Sequence, residues 1–221
     1  MFDYPTATLV NRPIPKSKIL EKARVSARLK DLLTRQVQQI RWHAKLSPET
    51  VHLPATDQVP EIQIFQLDLK GTDIHPDLLQ LLDKTIPQPI LFVITTPDQQ
   101  VAYSAAYKRP SEADAGQWVV GARFTSDFTP APEQSHHSLP VALDLGRLYT
   151  ALLEPLLPLQ GRQGESLAGL IERCDHHQAL QRRIAQLTAK VRREKQFNRR
   201  VGYNQELNSA KAEMEALARH A

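Results

Sequence analysis

The spacing of apolar residues changes several times along the chain. Residues 1–16 are punctuated by Pro5, Pro13 and Pro15, each of which removes a backbone donor and steers its predecessor away from helix, so this stretch is predicted extended. From Ser17, a candidate cap, to about Lys45 the apolar positions Ile19, Ala23, Leu29, Leu32, Leu33, Val37 and Ile40 recur at helical intervals. Pro48, Pro54 and Pro60 break that pattern before a strand at about Glu61–Lys70. Pro76 then opens a short helix through Leu78, Leu79, Leu81 and Leu82 that closes at Pro87. The run Ile90–Thr95 has strand length, Thr96–Gln100 is a turn signal, and Val101–Lys108 alternates, which together predict a hairpin. A further strand is expected at Gln117–Phe124, after the polar loop Ser111–Gly116, and a loop or linker over 125–138. Asp144 can cap a helix with Leu145, Leu148, Leu152 and Leu156 on one face, ended by Pro155 and Pro158. The ordering predicts an α+β domain over 1–158, a small four-stranded mixed β-sheet flanked by helices.

No proline follows Pro158. Leu180, Ile184, Leu187 and Val191 step by four, three and four, the seam of a coiled coil, and Val201 resumes the line after Glu194 and Asn198. Ala210, Met214, Leu217 and Ala221 repeat the steps in a shifted register, with Gly202 near the shift. A stutter in one long helix or a turn that folds the segment back on itself would each produce this. Residues 159–221 therefore read as a long-helix, coiled-coil arm.

Charge sharpens this division. The formal net charge is +4 in 221 residues, but residues 1–50 carry +6, 51–160 carry −7 and 161–221 carry +5. The steepest stretch, 182–200, holds Arg182, Arg183, Lys190, Arg192, Arg193, Lys195, Arg199 and Arg200 against the single acid Glu194. Phosphate neutralisation uses such a stretch, as in basic regions that extend from a dimerising zipper; a solvated helix face, or docking on an acidic surface, is the plainer alternative. Aromatic interleaving is thin, with only Phe197 and Tyr203. The segment Gln196-Phe197-Asn198-Arg199 would pin register if buried in the seam.

Composition is that of an ordinary soluble domain, 41% hydrophobic and 24% charged, and no apolar run approaches a membrane span. The N-terminus lacks the pattern of a secretory signal, and Cys174 is the only cysteine, so a cytoplasmic setting without an intrachain disulfide is expected. No glycine-rich phosphate loop and no nucleophile elbow occurs, and no cofactor is expected. Pro97-Asp98 and Lys108 loosely resemble the arrangement of metal-dependent nucleases, which need two carboxylates and a lysine; Ala106 stands where the second carboxylate belongs, and Glu61 could substitute for it, but its neighbour on that face is Gln63. Cys174, His176, His177, His136 and His137 could supply zinc ligands, although core packing and surface histidines account for them more simply, so no metal site is expected.

Six segments carry a family resemblance: Val10-Asn-Arg-Pro-Ile-Pro-Lys16, Ile40-Arg-Trp-His-Ala-Lys-Leu-Ser-Pro48, Glu61-Ile-Gln-Ile-Phe65, Ile86-Pro-Gln-Pro-Ile-Leu-Phe92, Ala106-Tyr-Lys108 and Glu194-Lys-Gln-Phe-Asn-Arg199. In that order and spacing the chain resembles the bacterial and archaeal family carried as domain of unknown function 4391, over nearly its whole length. The resemblance brings no activity. It implies a genomic context beside helicases and DNA methyltransferases of restriction or phage-defence clusters, and it marks Lys16, Trp42, Lys45, Glu61, Gln63, Lys108, Phe197 and Asn198 as positions to probe. The residues themselves suggest that Lys16, Lys45 and Lys108 with Glu61 form a charged pocket between the first helix and the sheet, or salt bridges. The leading expectation is a non-catalytic accessory or scaffold subunit of a bacterial DNA-targeting complex. Its arm would serve assembly through Leu180, Ile184, Leu187, Val191, Phe197 and Val201, as a homo-oligomer or with a helicase or methyltransferase, and would contact DNA through its basic residues. The alternatives are a divergent nuclease using Glu61, Asp98 and Lys108, and a pure protein-interaction module.

Overall fold

The computed structural model describes residues 2–22, 25–111, 113–114, 117–131 and 137–219. In chain order the elements are β1 (Phe2–Asp3), β2 (Leu9–Pro13), α1 (Lys16–Lys22), α2 (Ala27–Gln36), β3 (Val37–Leu46), α3 (Pro48–Val51), β4 (Ile62–Leu69), α4 (Pro76–Thr85), β5 (Ile90–Thr95), β6 (Gln100–Pro110), β7 (Trp118–Thr125), β8 (Thr129–Pro130), β9 (His137–Ser138), α5 (Leu145–Leu153), α6 (Leu167–Arg193) and α7 (Phe197–Ala218). They form two compact units, Met1–Leu156 and Leu157–Ala221.

The first unit is built on one mixed sheet of order β2-β3-β4-β5-β6-β7, with β8 pairing with β6 beyond the end of β7. All neighbours are antiparallel except β4 and β5, which run parallel because α4 carries the chain across between them. The α+β class with a mixed sheet holds, but the sheet has seven strands where four were expected.

The largest correction falls on Val37–Leu46, expected as the end of a helix and found as strand β3. The expected cap Ser17 lies inside α1; the residue that caps α2 is Ser26, which accepts from the Leu29 amide, and that helix stops at Gln36. The pairing with β4 explains the misleading pattern. Val37 sits opposite Leu69 but Gln39 opposite Asp68, and Trp42 sits opposite Phe65 but Ala44 opposite Ile64, so one extra residue is inserted at Gln38 and another at His43. Each bulge turns the strand's two-residue alternation into a three-residue step, which imitates a helix.

One face of the sheet carries Ile40, Phe65, Leu67, Ile90, Phe92 and Ile94 and packs under α4 through Leu78, Leu79 and Leu82, with Leu33 of α2. On the other face, α5 is capped by Asp144, which accepts from the Arg147 amide, and its Leu152 lines a cavity together with Leu91 and Tyr103. Tyr149 of α5 is buried; its hydroxyl donates to the Ala106 carbonyl (2.9 Å) and accepts from the Lys108 amide (3.3 Å), where the β6–β7 register shifts.

The second unit is an antiparallel helical hairpin. The chain turns at Glu194–Gln196, not at Gly202, which lies inside α7. The Glu194 carboxylate accepts from the Gln196 amide and holds that turn. Leu180 and Leu187 of α6 bury against Leu207 and Ala210 of α7, with Ile184, Val191, Tyr203, Met214 and Leu217 around them. At the opposite end, Arg173 grips the Glu165 carboxylate with two bonds (2.9 and 2.7 Å) and donates to the Leu217 carbonyl (3.0 Å), while Arg162 donates to the carbonyls of Leu217 and Arg219. Two guanidinium groups thus satisfy the orphan carbonyls at the end of α7.

Candidate functional site

Two regions present chemistry that packing does not consume. The first is the connecting end of the α6–α7 hairpin. Residues 182–203 carry eight Lys/Arg and one acid, whereas the remainder of 161–221 carries four against six. Folding the hairpin brings the basic ends of both helices together and sends the acids toward the far end. Arg182, Arg183, Lys190, Arg192, Arg193, Lys195, Arg199 and Arg200 are all exposed. Arg183 lies 3.9 Å from Glu206, Lys190 stands over the Tyr203 ring and Arg200 over the Phe197 ring. The other five have no ion-pair partner among the described residues. Phe197 is 67% exposed, so it does not pin a buried register, and Val201, one turn on, is exposed too. Of the six seam residues, Leu180, Ile184, Leu187 and Val191 find their partner in α7 of the same chain.

The second region is a cavity of about 300 Å³ in the first unit, walled by Ile14, Lys18 and Ile19, by Trp42 and Lys45 of β3, by Glu61, Gln63 and Phe65, and by Thr85, Ile86 and Gln88 after α4. The bulge at His43 makes this wall. It returns Lys45 to the face that carries Trp42, opposite Gln63 and Phe65 on β4. Trp42 and Phe65 lie nearly parallel, with centroids 6.5 Å apart. The Lys45 ammonium meets the Glu61 carboxylate at 2.8 Å, and this hydrogen bond holds the lysine pKa above its usual range. Gln63 donates from Nε2 to Glu61 (2.7 Å), but its Oε1 and the Trp42 Nε1 are buried with no hydrogen-bond partner.

Lys16 and Lys108 do not line this cavity. The Lys16 ammonium donates to the Val37 carbonyl. Lys108 is sealed behind the wall: its side chain and that of Asp83 are both 0% exposed, and they pair at 2.8 Å. The same ammonium donates to the carbonyls of Asp83, Ile86 and Gln88 (3.1, 2.7 and 2.9 Å), closing the C-terminal end of α4, and Arg123 pairs with the other oxygen of Asp83. Burial pulls the Lys108 pKa below the ordinary lysine range. Asp98 lies in the β5–β6 turn, at the opposite end of β5 from the Gln63–Ile90 pair, so β5 alone separates it from Glu61 by roughly 15 Å. Glu61, Asp98 and Lys108 are therefore not brought together.

Cys174 is buried on α6, His176 pairs with Glu213 at 3.0 Å, and burial lowers the His177 pKa. His137 is in β9, and His136 falls outside the described residues, as do Ala23, Gly116 and Ala221. No group of three His, Cys, Asp or Glu is placed to hold a metal among the described residues. No described helix is long and apolar enough to cross a membrane.

A family model described as domain of unknown function (DUF4391) matches residues 2–214 of the 221. The chain belongs to the DUF4391 family. No curated protein and no solved structure matches it. In this DUF4391 chain, four of the positions singled out by resemblance, Trp42, Lys45, Glu61 and Gln63, meet in one cavity, and two more, Phe197 and Asn198, meet at the hairpin turn. Sequence reasoning missed Asp83, the partner that fixes Lys108, and Arg123, which pairs with the other oxygen of the same carboxylate. Asp83 reads as an ordinary polar residue near the end of an amphipathic helix, and only the fold shows that it faces the sheet. Ile14, Ile19 and Ile86 were missed as cavity walls because apolar residues of short helices and connections give no sign of what they cover.

Proposed function

We propose that this chain is a non-catalytic, nucleic-acid-binding accessory subunit of a bacterial DNA-targeting complex of the restriction or anti-phage defence type. The reading rests on one observation: the hairpin gathers eight exposed cations toward its connecting end beside a single acid, Glu194, and holds the other six acids of 161–221 outside that stretch. A solvated helix needs no such segregation, whereas a polyanion rewards it, because each phosphate neutralised releases condensed counterions. The genomic context implied by the family resemblance supplies the defence setting. Assembly, as a homo-oligomer or with a helicase or methyltransferase, would draw on Phe197 and Val201, the seam residues that the hairpin leaves exposed.

The test is duplex DNA binding across a salt series, for wild type and for a variant with Arg192, Arg193, Arg199 and Arg200 all changed to Ala. The slope of log K against log salt should flatten by up to about 4 in the variant, at roughly 0.9 per lost phosphate contact. No binding of the wild type at low salt would remove nucleic acid and leave the hairpin end as a surface for an acidic protein.

A further inference from the structure

We propose that the cavity between α1, the β3–β4 ribbon and the end of α4 is a binding site for a nucleobase-type ring, a planar nitrogen heterocycle that accepts from Trp42 Nε1 and donates to Gln63 Oε1. Both atoms are buried without a partner on residues that line the cavity, and a polar atom in that state is unfavourable until something completes it. One is a donor and the other an acceptor, so the complement must offer one of each, as the edge of a nucleobase does. Gln63 is only 4% exposed, and its orientation is fixed because Nε2 must face the Glu61 carboxylate. The amide therefore cannot flip to present a second donor.

The walls fit the rest of such a molecule. Trp42 and Phe65 give one side a flat aromatic character, and Ile14, Ile19 and Ile86 supply apolar contacts. At about 300 Å³ the space stands at the lower end for small-molecule sites, suiting a single ring system better than a long chain. The Lys45–Glu61 pair is already neutral, which disfavours a charged group deep inside. Lys18, exposed on α1 and without an ion-pair partner among the described residues, stands ready for a phosphate on the ligand. The shared chemistry is a base with an attached phosphate, either as a free nucleotide or within a strand.

The experiment is calorimetric titration of the full chain with adenosine, guanosine, cytidine and uridine, their 5′-monophosphates, and short oligonucleotides of each base. At least one nucleoside or oligonucleotide should bind, and Trp42→Phe, which keeps an aromatic ring but deletes the donor, should weaken it about tenfold. Gln63→Leu should do the same, and Ile86→Trp, which fills the space without touching either polar atom, should abolish it. The monophosphate should bind more tightly than the nucleoside, with Lys18→Ala removing the difference. Binding of free nucleotide marks a small-molecule ligand; binding of the oligonucleotide alone marks a base read within a strand when Trp42→Phe, Gln63→Leu and Ile86→Trp weaken it, and contact with the hairpin alone when they do not. If none of these probes binds, or if binding is indifferent to all three cavity variants in protein that melts like wild type, the proposal is wrong. Alanine at the four hairpin arginines leaves nucleoside binding unchanged, so this test and that of nucleic-acid binding by the hairpin fail separately.

Discussion

Trp42 and Lys45 are three residues apart on a strand and still face the same side of the sheet. His43, the residue that the partner strand does not match, makes this arrangement. Without it, alternation would carry Lys45 to the face that holds Ile62 and Ile64, away from Glu61 and Gln63.

Deleting His43 should therefore be far worse than replacing it. His43→Ala keeps the bulge and should cost no more than about 1 kcal/mol, in the range of substitutions outside the core. The deletion would exchange the faces of Ala44 and Leu46, both buried, and should prevent stable folding. Urea denaturation followed by circular dichroism separates the two.

Two of the ion pairs of the first unit, Lys45–Glu61 and Lys108–Asp83, should behave differently. Lys45–Glu61 is partly exposed, so a double-mutant cycle should give a coupling of about 1 kcal/mol or less. Lys108→Ala leaves Asp83 charged and sealed from water beside Arg123 alone, and should cost about 3–5 kcal/mol. A matched loss of stability in Asp83→Ala would confirm that the pair is structural.

In the hairpin, Leu187→Ala should cost about 2–5 kcal/mol, since it empties a buried position between α6 and α7. Phe197→Ser, at an exposed position, should change stability by less than about 0.5 kcal/mol. Thermal unfolding monitored by helical ellipticity reads both, and a large effect of Phe197→Ser would show that the turn is packed against something.

The foot of the hairpin should loosen in acid. The paired Arg173 guanidinium holds the Glu165 carboxyl down to about 2, below its ordinary value of 4.5. A folded-state value below the unfolded one means that the stabilisation is complete above about pH 4.5 and is lost as the pH falls toward 2. The melting temperature of wild type should drop over that window, and Glu165→Gln should remove that component. An identical acid profile in the variant would assign the loss to other carboxylates.

Which parts of this fold were legible follows from how local each signal is. The hairpin β5–β6, the helix opened by Pro76 and the helix capped by Asp144 all announce themselves through neighbours in sequence, and all are present. Strand β3 was hidden because its bulges depend on β4, a distant partner. The turn of the α6–α7 hairpin was hidden for a different reason: Glu194 favours helix, and neither proline nor glycine marks the break. Lys16, Lys45, Lys108 and Glu61 were expected to share one charged pocket, with Trp42 and Gln63 marked beside them by the family resemblance; Lys45, Glu61, Trp42 and Gln63 line one cavity, whereas Lys16 and Lys108 share the chemistry but not the location. Residue type reveals a charge in need of a partner; only the register of the sheet decides which partner it meets.

The segregation of charge along the hairpin also gives the second unit a polarity that acts before any contact. A rod with an excess of cations at one end and of acids at the other experiences a torque near a polyanion as well as an attraction. On the proposed nucleic-acid reading, that torque would swing the turn forward during approach, so that fewer encounters would be wasted on the wrong orientation. Because the field decays over about 8 Å at physiological ionic strength, this alignment belongs to the last step of diffusion, and adding salt should slow capture more than it speeds release.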